Sequence, residues 1–249
     1  MKSVLSFFTR IGVTLILTLL GAEGDNGLIK PASAELSSSQ EKGVTALIER
    51  YIRENPSIIR DSLARLATEE ERALKQAAFS ILSNDVNDPV IGPADASLTI
   101  YEFSDYNCGY CKRLFPTMME VITEESDIKL VIKELPIVAE SSLAAAQAGI
   151  AAQQQQKFPD FHEALMNWRG KTDDSALLAA ARTAGLDISQ WRSDMASPET
   201  ARILQRSQQA AMALNLRGTP ALVIGSQVIP GAVPKEQIMR AIAEARKNP

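Results

Sequence analysis

Helical spacing of apolar residues dominates the chain between Glu41 and about Ser83. In the first part of this run, apolar residues recur at intervals that predict an amphipathic helix: Leu47, Ile48, Tyr51 and Ile52. Asn55-Pro56 interrupts the run, because proline lacks a backbone donor and disfavours helical geometry in the residue before it. The pattern then resumes as an apolar stripe, broken at Glu70, whose members are Ile59, Leu63, Leu66, Ala73, Ala77 and Ile81.

The apolar stripe needs a partner surface, and two interpretations are open for the helical segment that contains it, residues 35–86. The first, which we favour, is a stalk through which copies of the chain self-associate. Two to three heptads do not determine the number of copies. The second interpretation is an amphipathic helix that packs on the catalytic domain of its own chain.

Residues 87–249 have the strand and helix pattern of an α/β domain. This domain begins within the turn-rich stretch Asn84–Pro93. Ser97–Phe103 is rich in β-branched and aromatic residues and predicts a buried strand, Cys111–Thr123 predicts a helix, and Ile128–Glu134 predicts a second strand. The first strand therefore leads directly into a helix.

A helical block rich in Ala and Gln follows, over about residues 141–216. Residues that break helices punctuate it and predict three or four helices: Pro159, Gly170, Gly185 and Pro198. The chain then returns to strands at Ala221–Ile224 and Val228-Ile229, which a tight turn joins. It closes with a helix from Pro234 to about Lys247. The predicted fold class is α/β with an inserted helical domain.

The N-terminus has the pattern of a signal peptide, predicted over residues 1–34. Basic residues precede the apolar run Ile11–Leu20, which is too short to cross a bilayer but long enough for the apolar core of a signal peptide. Ala32-Ser33-Ala34 is the favoured cleavage site, and cleavage after Ala22 is the alternative. A short buried helix is the competing interpretation of the run. Export is therefore expected.

Composition narrows the function classes. The 249 residues, 45% of them hydrophobic, suffice for one full-sized core and an accessory element. The formal net charge is -4, with both signs spread along the chain and no basic stripe of the kind that phosphate groups require. Nucleic acid is therefore not an expected partner.

The chain has two cysteines, Cys108 and Cys111, separated by two residues. A structural zinc site needs about four ligands, and the single histidine, His162, leaves too few, so no metal is expected. The cysteines lie where a strand feeds a helix N-terminus, whose backbone N–H groups and dipole stabilise a thiolate. Cys108 is the predicted nucleophile and Cys111 the predicted resolving thiol, with the disulfide between them as the redox-active group.

Thr219-Pro220 lies directly before the third predicted strand, far along the chain from the cysteines. Here the chain resembles the thioredoxin superfamily, in which a cis-proline at this place packs beside the two cysteines and the preceding residue pairs with substrate backbone. The run Phe103–Cys111 and the helical block resemble the DsbA-type branch. The N-terminal helical segment resembles the ScsC (suppressor of copper sensitivity) group of that branch. The resemblance implies a thioredoxin fold, with Thr219, Pro220, Gly109 and Tyr110 at the substrate peptide.

The resemblance also implies a periplasmic oxidase, reductase or isomerase that acts on exported proteins containing cysteine. A membrane or periplasmic redox partner would reset the active site. ScsC-like proteins oligomerise through their N-terminal helices, so we expect a homo-oligomer, a trimer or a dimer.

The dipeptide between the cysteines, Gly109-Tyr110, departs from the Pro-His of DsbA oxidases. Without a histidine to stabilise the thiolate, Cys108 should be less acidic, and its disulfide less oxidising, than in those oxidases. Gly-Tyr and the threonine before the proline resemble the DsbC isomerases, which favours a disulfide isomerase or reductase. Two alternatives stay open: a monomeric DsbA-like dithiol oxidase, and a copper-tolerance protein whose thiolates bind Cu(I).

Glu102, six residues before the first cysteine, matches an acidic position of the DsbA branch. It is either a relay that moves a proton to or from Cys111, or an edge-facing glutamate paired with a lysine. Lys133 and Glu134 are expected at a solvated strand end. His162 is expected to pack or to lie on the surface rather than to catalyse.

Overall fold

The structure is a computed structural model that describes residues 37–83 and 86–247. The predicted signal peptide, residues 1–34, lies outside the described residues. The chain divides after Ile58 into two compact units. In the described part of the chain, every helix is too short or too polar to span a membrane.

Helix α1, Ser38–Glu54, lies in the first unit. A capping box starts it: the Gln40 N–H donates to the Ser37 hydroxyl, and the Ser37 N–H donates to the Gln40 side chain. This cap explains why the helix begins ahead of the predicted Glu41. The helix ends at Asn55, as Asn55-Pro56 predicts, and none of its residues is buried.

Helix α2, Ser57–Ser83, changes environment along its length. Ala78 and Leu82 near its end are its buried residues, and both pack in a hydrophobic cluster with Phe103. The stripe residues nearer its start, such as Leu63, are exposed. The end of α2 therefore belongs to the core of the second unit, whereas the earlier turns present apolar side chains to solvent.

A five-stranded sheet forms the centre of the second unit. Its strands are β1 Val90–Ile91, β2 Leu98–Ser104, β3 Ile128–Glu134, β4 Ala221–Ile224 and β5 Gln227–Pro230. They lie in the order β1-β3-β2-β4-β5, with β2 and β3 parallel and the other neighbours antiparallel. The sequence pattern places Val90-Ile91 in a turn-rich stretch, but both residues pair with β3. Two residues are too few to show strand alternation.

Helices flank the sheet on both faces. After α2 they are α3 Gly109–Glu124, α4 Ser142–Gln154, α5 Phe158–Met166, α6 Asp174–Thr183, α7 Ile188–Met195, α8 Pro198–Ala213 and α9 Lys235–Lys247. The inserted block therefore has five helices, α4 to α8, and the expected number of three or four is wrong. Pro159 and Pro198 lie in the first turns of α5 and α8, where proline is well tolerated, so each starts a separate helix.

The two faces of the sheet pack against different helices. On one face, Ile100 and Leu222 pack with residues of α3 and α9. On the other face, Phe103 packs with residues of α8 and the end of α2. Side chains alternate between the faces of a strand, so Glu102 and Ser104 lie on the same face as Ile100. This face lies beneath the cysteines of α3.

Candidate active site

The end of β2 and the start of α3 position both cysteines. Cys108 has extended backbone angles as the N-cap of α3, and its carbonyl accepts the Lys112 N–H at 3.1 Å. The helix therefore begins at Gly109 rather than at the predicted Cys111. Cys108 is 6% exposed and Cys111 is fully buried. Both cysteines are present as free thiols.

The loop before β4 lies directly beside Cys108. The Thr219–Pro220 peptide bond is cis, which is the geometry that the resemblance implies. The Cys108 thiol donates to the Thr219 carbonyl, with 3.2 Å between sulfur and oxygen. The Thr219 hydroxyl is buried and has no hydrogen-bond partner of its own within the described residues, so it is available to donate to the Cys108 thiolate. The fold thus brings together two motifs that are 111 residues apart.

The two thiols differ in acidity. Burial raises the pKa of Cys108, but hydrogen bonds from the Thr219 side chain, from Cys111 and from the Tyr110 N–H outweigh burial and hold this pKa below its usual value. Burial raises the pKa of Cys111, and the negative charge of Glu102 raises it further. Cys108 is therefore the thiol that more readily forms the thiolate, the nucleophilic form of the side chain, while Cys111 holds its proton more strongly.

Glu102 lies in the buried layer beneath the cysteines and is 2% exposed. Burial raises its pKa to about 7, against a smaller lowering by the Ser104 hydroxyl. A carboxyl that titrates near neutral pH is suited to exchange protons with the Cys111 thiol. The alternative of an edge-facing glutamate is wrong, because β2 is an interior strand with β3 and β4 as neighbours.

A groove of about 740 Å³ runs beside the cysteines. Tyr110, which is 60% exposed, lines it together with residues 214–221, Val228 and residues 230–232. At Gly109 an added Cβ would meet no atom within 4 Å, so the surface in front of the motif is open. An open, mainly apolar groove next to a sulfur nucleophile can accept an extended peptide.

Comparison with known proteins gives independent evidence on the fold that carries this site. The profile of the DSBA-like thioredoxin domain matches residues 99–243. The chain belongs to the DsbA-like thioredoxin family. A thioredoxin-like oxidoreductase from Silicibacter pomeroyi DSS-3 is 38% identical, with a TM-score of 0.65, over 68% of this chain and 98% of that protein. ScsC from Proteus mirabilis, in a transitional conformation, is 30% identical, with a TM-score of 0.65, over 87% of this chain and 99% of that one.

These similarities confirm the predicted thioredoxin fold and the resemblance to ScsC-like members of the family. Among curated proteins, the chain is also similar to the Na(+)/H(+) antiporter NhaA 1 of Salinispora arenicola, with 28% identity over 160 residues, or 64% of this chain. The chain spans between 24% and 30% of the length of the curated relatives that it matches first.

The prediction of a solvated strand end at Lys133 and Glu134 is wrong, because both side chains are buried. Their strand, β3, lies between β1 and β2 inside the sheet. Lys133 forms a buried ion pair with Asp88, which lies two residues before β1. The Cβ of an alanine at position 149, in α4, would lie 2.9 Å from the Glu134 carboxyl, which shows how closely α4 covers this strand end.

Glu134 belongs to the same buried polar layer as Glu102. It is the register partner of Ser104, so it lies on the same face as Glu102. Burial raises its pKa well above the usual value, and the charges of Asp105 and Glu102 act in the same direction. Burial therefore favours the protonated form of Glu134.

His162 has the packing role expected from the sequence. The Tyr106 hydroxyl lies 3.0 Å from its Nδ1, and the rings of Phe115 and Phe158 lie against it. Burial lowers the pKa of His162 to about 3, so the imidazole is neutral. It supports the buried layer beneath the cysteines and carries no charge there.

Asp105 is a site residue that sequence reasoning did not single out. Its carboxylate accepts hydrogen bonds from the Asn107 N–H, the Ser142 hydroxyl, and the N–H groups of Ile137 and Val138, all at 2.8 or 2.9 Å. These bonds tie the loop that carries Cys108 to the loop between β3 and α4. An aspartate just after a strand is the available sequence signal, but three of its four partners lie too far along the chain to be predicted.

A metal site of three or more ligands is not present in the part of the chain that the structure describes. Cu(I) requires only two thiolates, so binding by the cysteine pair stays a prediction from the sequence. The raised pKa of Cys111 opposes it, because the thiolate is the ligand form.

Proposed function

We propose that the chain is a periplasmic protein thiol–disulfide oxidoreductase that acts as a disulfide isomerase or reductase on exported proteins. The observation that carries this proposal is the asymmetry of the cysteine pair. Cys108 has a lowered pKa and lies 3.2 Å from the carbonyl before a cis-proline, whereas Cys111 is buried with a raised pKa above a carboxyl. One thiol is suited to attack a client and the other to release it.

The first step uses Cys108. Its thiolate attacks one sulfur of a client disulfide, the client S–S bond breaks, and the second client sulfur leaves as a thiolate. A mixed disulfide now joins Cys108 to the client. In this proposal Thr219 and Pro220 hold client backbone beside the sulfur, and Gly109 and Tyr110 border the bound peptide.

The second step decides between reduction and isomerisation. In reduction, Glu102 takes the proton of Cys111, the Cys111 thiolate attacks the Cys108 sulfur, and the client leaves with two reduced sulfurs. In isomerisation, a client thiolate attacks the mixed disulfide instead and Cys108 leaves as a thiolate, with no net oxidation. After reduction, a membrane or periplasmic dithiol partner would reduce the Cys108–Cys111 disulfide and be oxidised in turn.

The dipeptide Gly109-Tyr110 supports isomerase or reductase over oxidase. Oxidation of clients requires a Cys108–Cys111 disulfide that client thiols reduce readily. Such a disulfide is readily reduced when the Cys108 thiolate that its reduction releases is strongly stabilised. The hydrogen bonds to Cys108 come from uncharged groups: the Thr219 side chain, Cys111 and the Tyr110 N–H. A moderately acidic Cys108 favours attack on existing disulfides.

Self-association is the second part of the proposal, and the helical segment, residues 35–86, would carry it. In α1 the apolar side chains of Leu47, Ile48 and Tyr51 are exposed, and in α2 those of Ile59, Leu63 and Leu66 are exposed as well. Large exposed apolar surfaces of this kind mark interaction sites. A second copy of the chain offers the same stripe, and a self-complementary stripe is how helical segments form symmetric oligomers.

The test combines molar mass by light scattering with the refolding of scrambled, fully oxidised ribonuclease. It compares the mature protein, Leu63→Asp in the stripe, and Thr68→Asp, a matched exposed position on the same helix. We expect an oligomer that restores ribonuclease activity, a monomer without isomerase activity for Leu63→Asp, and an unchanged Thr68→Asp. A monomeric wild type that only oxidises reduced ribonuclease would make the protein a DsbA-like oxidase. Copper retained after purification without reductants would favour the copper-tolerance function.

A further inference from the structure

The surface around Cys108 carries positive charge, although the chain as a whole has a net charge of -4. Lys112 and Arg113 follow the cysteine motif in the first turns of α3, and Arg217 lines the groove. None of the residues that line the groove is an aspartate or glutamate. A client that approaches the nucleophile therefore meets a local potential opposite in sign to that of the whole protein.

The cations next to the motif are held by uncharged partners. The Arg113 guanidinium carbon lies 3.9 Å from the centre of the Tyr110 ring. The Lys112 ammonium donates to the carbonyls of Leu165 and Trp168, at 3.3 and 2.9 Å. Arg169 donates to the Trp168 carbonyl and acts on Lys112 through its charge. An aromatic ring and backbone carbonyls orient a cation but do not neutralise it.

Other cations in the second unit form ion pairs with carboxylates. On α9, Lys235 lies within 3.4 Å of two carboxylates, those of Glu120 and Glu124. Arg246, also on α9, forms ion pairs with the carboxylates of two further residues. Within the described residues, no carboxylate forms an ion pair with Arg113 or Arg217. Arginine without a carboxylate partner at the rim of a binding groove is free to take one from a ligand.

We propose that this surface selects client segments in which acidic residues flank the disulfide-bonded cysteine. The client's apolar side chains would lie in the groove, and its carboxylates would bind Arg113 and Arg217. The inference rests on the proposed function and names the client class for the same site. Arginine forms two parallel hydrogen bonds to a carboxylate, which gives specificity, and charge complementarity also speeds association at low salt.

The experiment measures the reduction of three disulfide-linked peptide homodimers by the reduced full chain. The peptides share one sequence except that glutamate, lysine or glutamine flanks the cysteine. In the reaction, one peptide disulfide is reduced to two thiols while Cys108 and Cys111 are oxidised to their disulfide. We expect the glutamate peptide to react about tenfold faster than the lysine peptide at low salt, with the ratio falling at high salt.

The double variant Arg113→Glu/Arg217→Glu should react faster with the lysine peptide than with the glutamate peptide. Its rate with the glutamine peptide shows whether the variant still folds and carries out the reaction. Arg240→Glu, at an exposed position of α9, makes half the charge change and should leave the ratio unchanged. Equal rates for the two charged peptides would overturn this inference, and so would a shift with Arg240→Glu at least half as large as that of the double variant. If the wild type does not reduce even the glutamine peptide, the proposed function itself fails.

Discussion

The surface around Cys108 and the layer beneath Cys111 are two regions of one site with opposite chemistry. Around Cys108, uncharged hydrogen-bond donors stabilise negative charge on sulfur, and the open groove admits a peptide. Beneath Cys111, Glu102 and Glu134 are buried and the neighbouring His162 is neutral. Burial there raises the pKa of both acids and favours their protonated forms.

This difference shows that environment, and not residue type, assigns the roles of the two cysteines. The thiols are chemically identical and lie within one helical turn, yet the pKa of Cys108 is lowered and that of Cys111 is raised. Hydrogen bonds that favour the charged form dominate at the first, and desolvation dominates at the second. Perturbing either region alone should therefore change a different part of the reaction.

The largest expected effect separates the two cysteines. Cys108→Ser removes the nucleophile and should lower exchange with a client disulfide by about a thousandfold or more. Cys111→Ser leaves attack intact but removes the resolving thiol, so mixed disulfides with clients should accumulate. Non-reducing gels of each variant after mixing with a disulfide-bonded client would show this. Accumulation with Cys108→Ser instead would reverse the assigned roles.

The second prediction concerns stability and tests the buried layer. A folded-state pKa of about 7 for Glu102 exceeds the unfolded value of about 4.3, so its protonated form favours folding and this contribution is lost as pH rises through 7. The unfolding free energy of Glu102→Gln, relative to wild type, should therefore rise by about 3 kcal/mol between pH 4 and pH 8. Urea unfolding at several pH values measures it.

The matched control for this prediction is Glu236→Gln, which removes an exposed carboxyl on α9. It should change stability by less than about 0.5 kcal/mol at each pH. A pH-independent effect of Glu102→Gln would contradict the assignment of a buried, proton-holding carboxyl.

The third prediction compares two glycines, one in each region. Alanine at Gly149 would place its Cβ 2.8 Å from the Tyr106 hydroxyl and 2.9 Å from the Glu134 carboxyl, so Gly149→Ala should destabilise the protein by about 2 kcal/mol. The Cβ added by Gly109→Ala would meet no atom within 4 Å, so this variant should be as stable as wild type or slightly more stable. Thermal unfolding of both variants measures the difference. Equal melting temperatures would show that the buried layer is not tightly packed.

The smallest expected effect concerns the hydroxyl of Thr219. Thr219→Val keeps the shape of the side chain but removes the hydroxyl that can donate to the Cys108 thiolate and so lowers the pKa of Cys108. Because less thiolate is then present at pH 7, attack on a small disulfide should slow about threefold there and approach the wild-type rate at high pH. The ultraviolet absorbance of the thiolate gives the pKa directly.

Thr123→Val is the control for the hydroxyl, because the Thr123 side chain bonds only within its own helix at the far end of α3. It should leave both the rate and the thiolate absorbance unchanged. An unchanged pKa in Thr219→Val would assign the lowered value to the hydrogen bonds from Cys111 and Tyr110 alone.

Local patterns in the sequence predicted most of the elements of this protein. The strands Ile128–Glu134 and Ala221–Ile224 have the predicted bounds, and Asn55-Pro56 does separate the first two helices. These features depend on side-chain alternation, β-branching and the geometry of proline, which act over a few residues. The cysteine pair at a strand end and helix start was predictable for the same reason.

Tertiary structure alone decided the environments of the site. The contact of Cys108 with Thr219 and three of the four bonds to Asp105 join segments that are distant along the chain, and distant segments also bury Glu134 and Lys133. A strand sequence does not show which neighbours will cover its end, so a lysine and a glutamate there favoured a solvated position. By itself, the sequence determined which residues carry the chemistry. Their protonation states followed from packing, because pKa values depend on burial and on charges brought near by the fold.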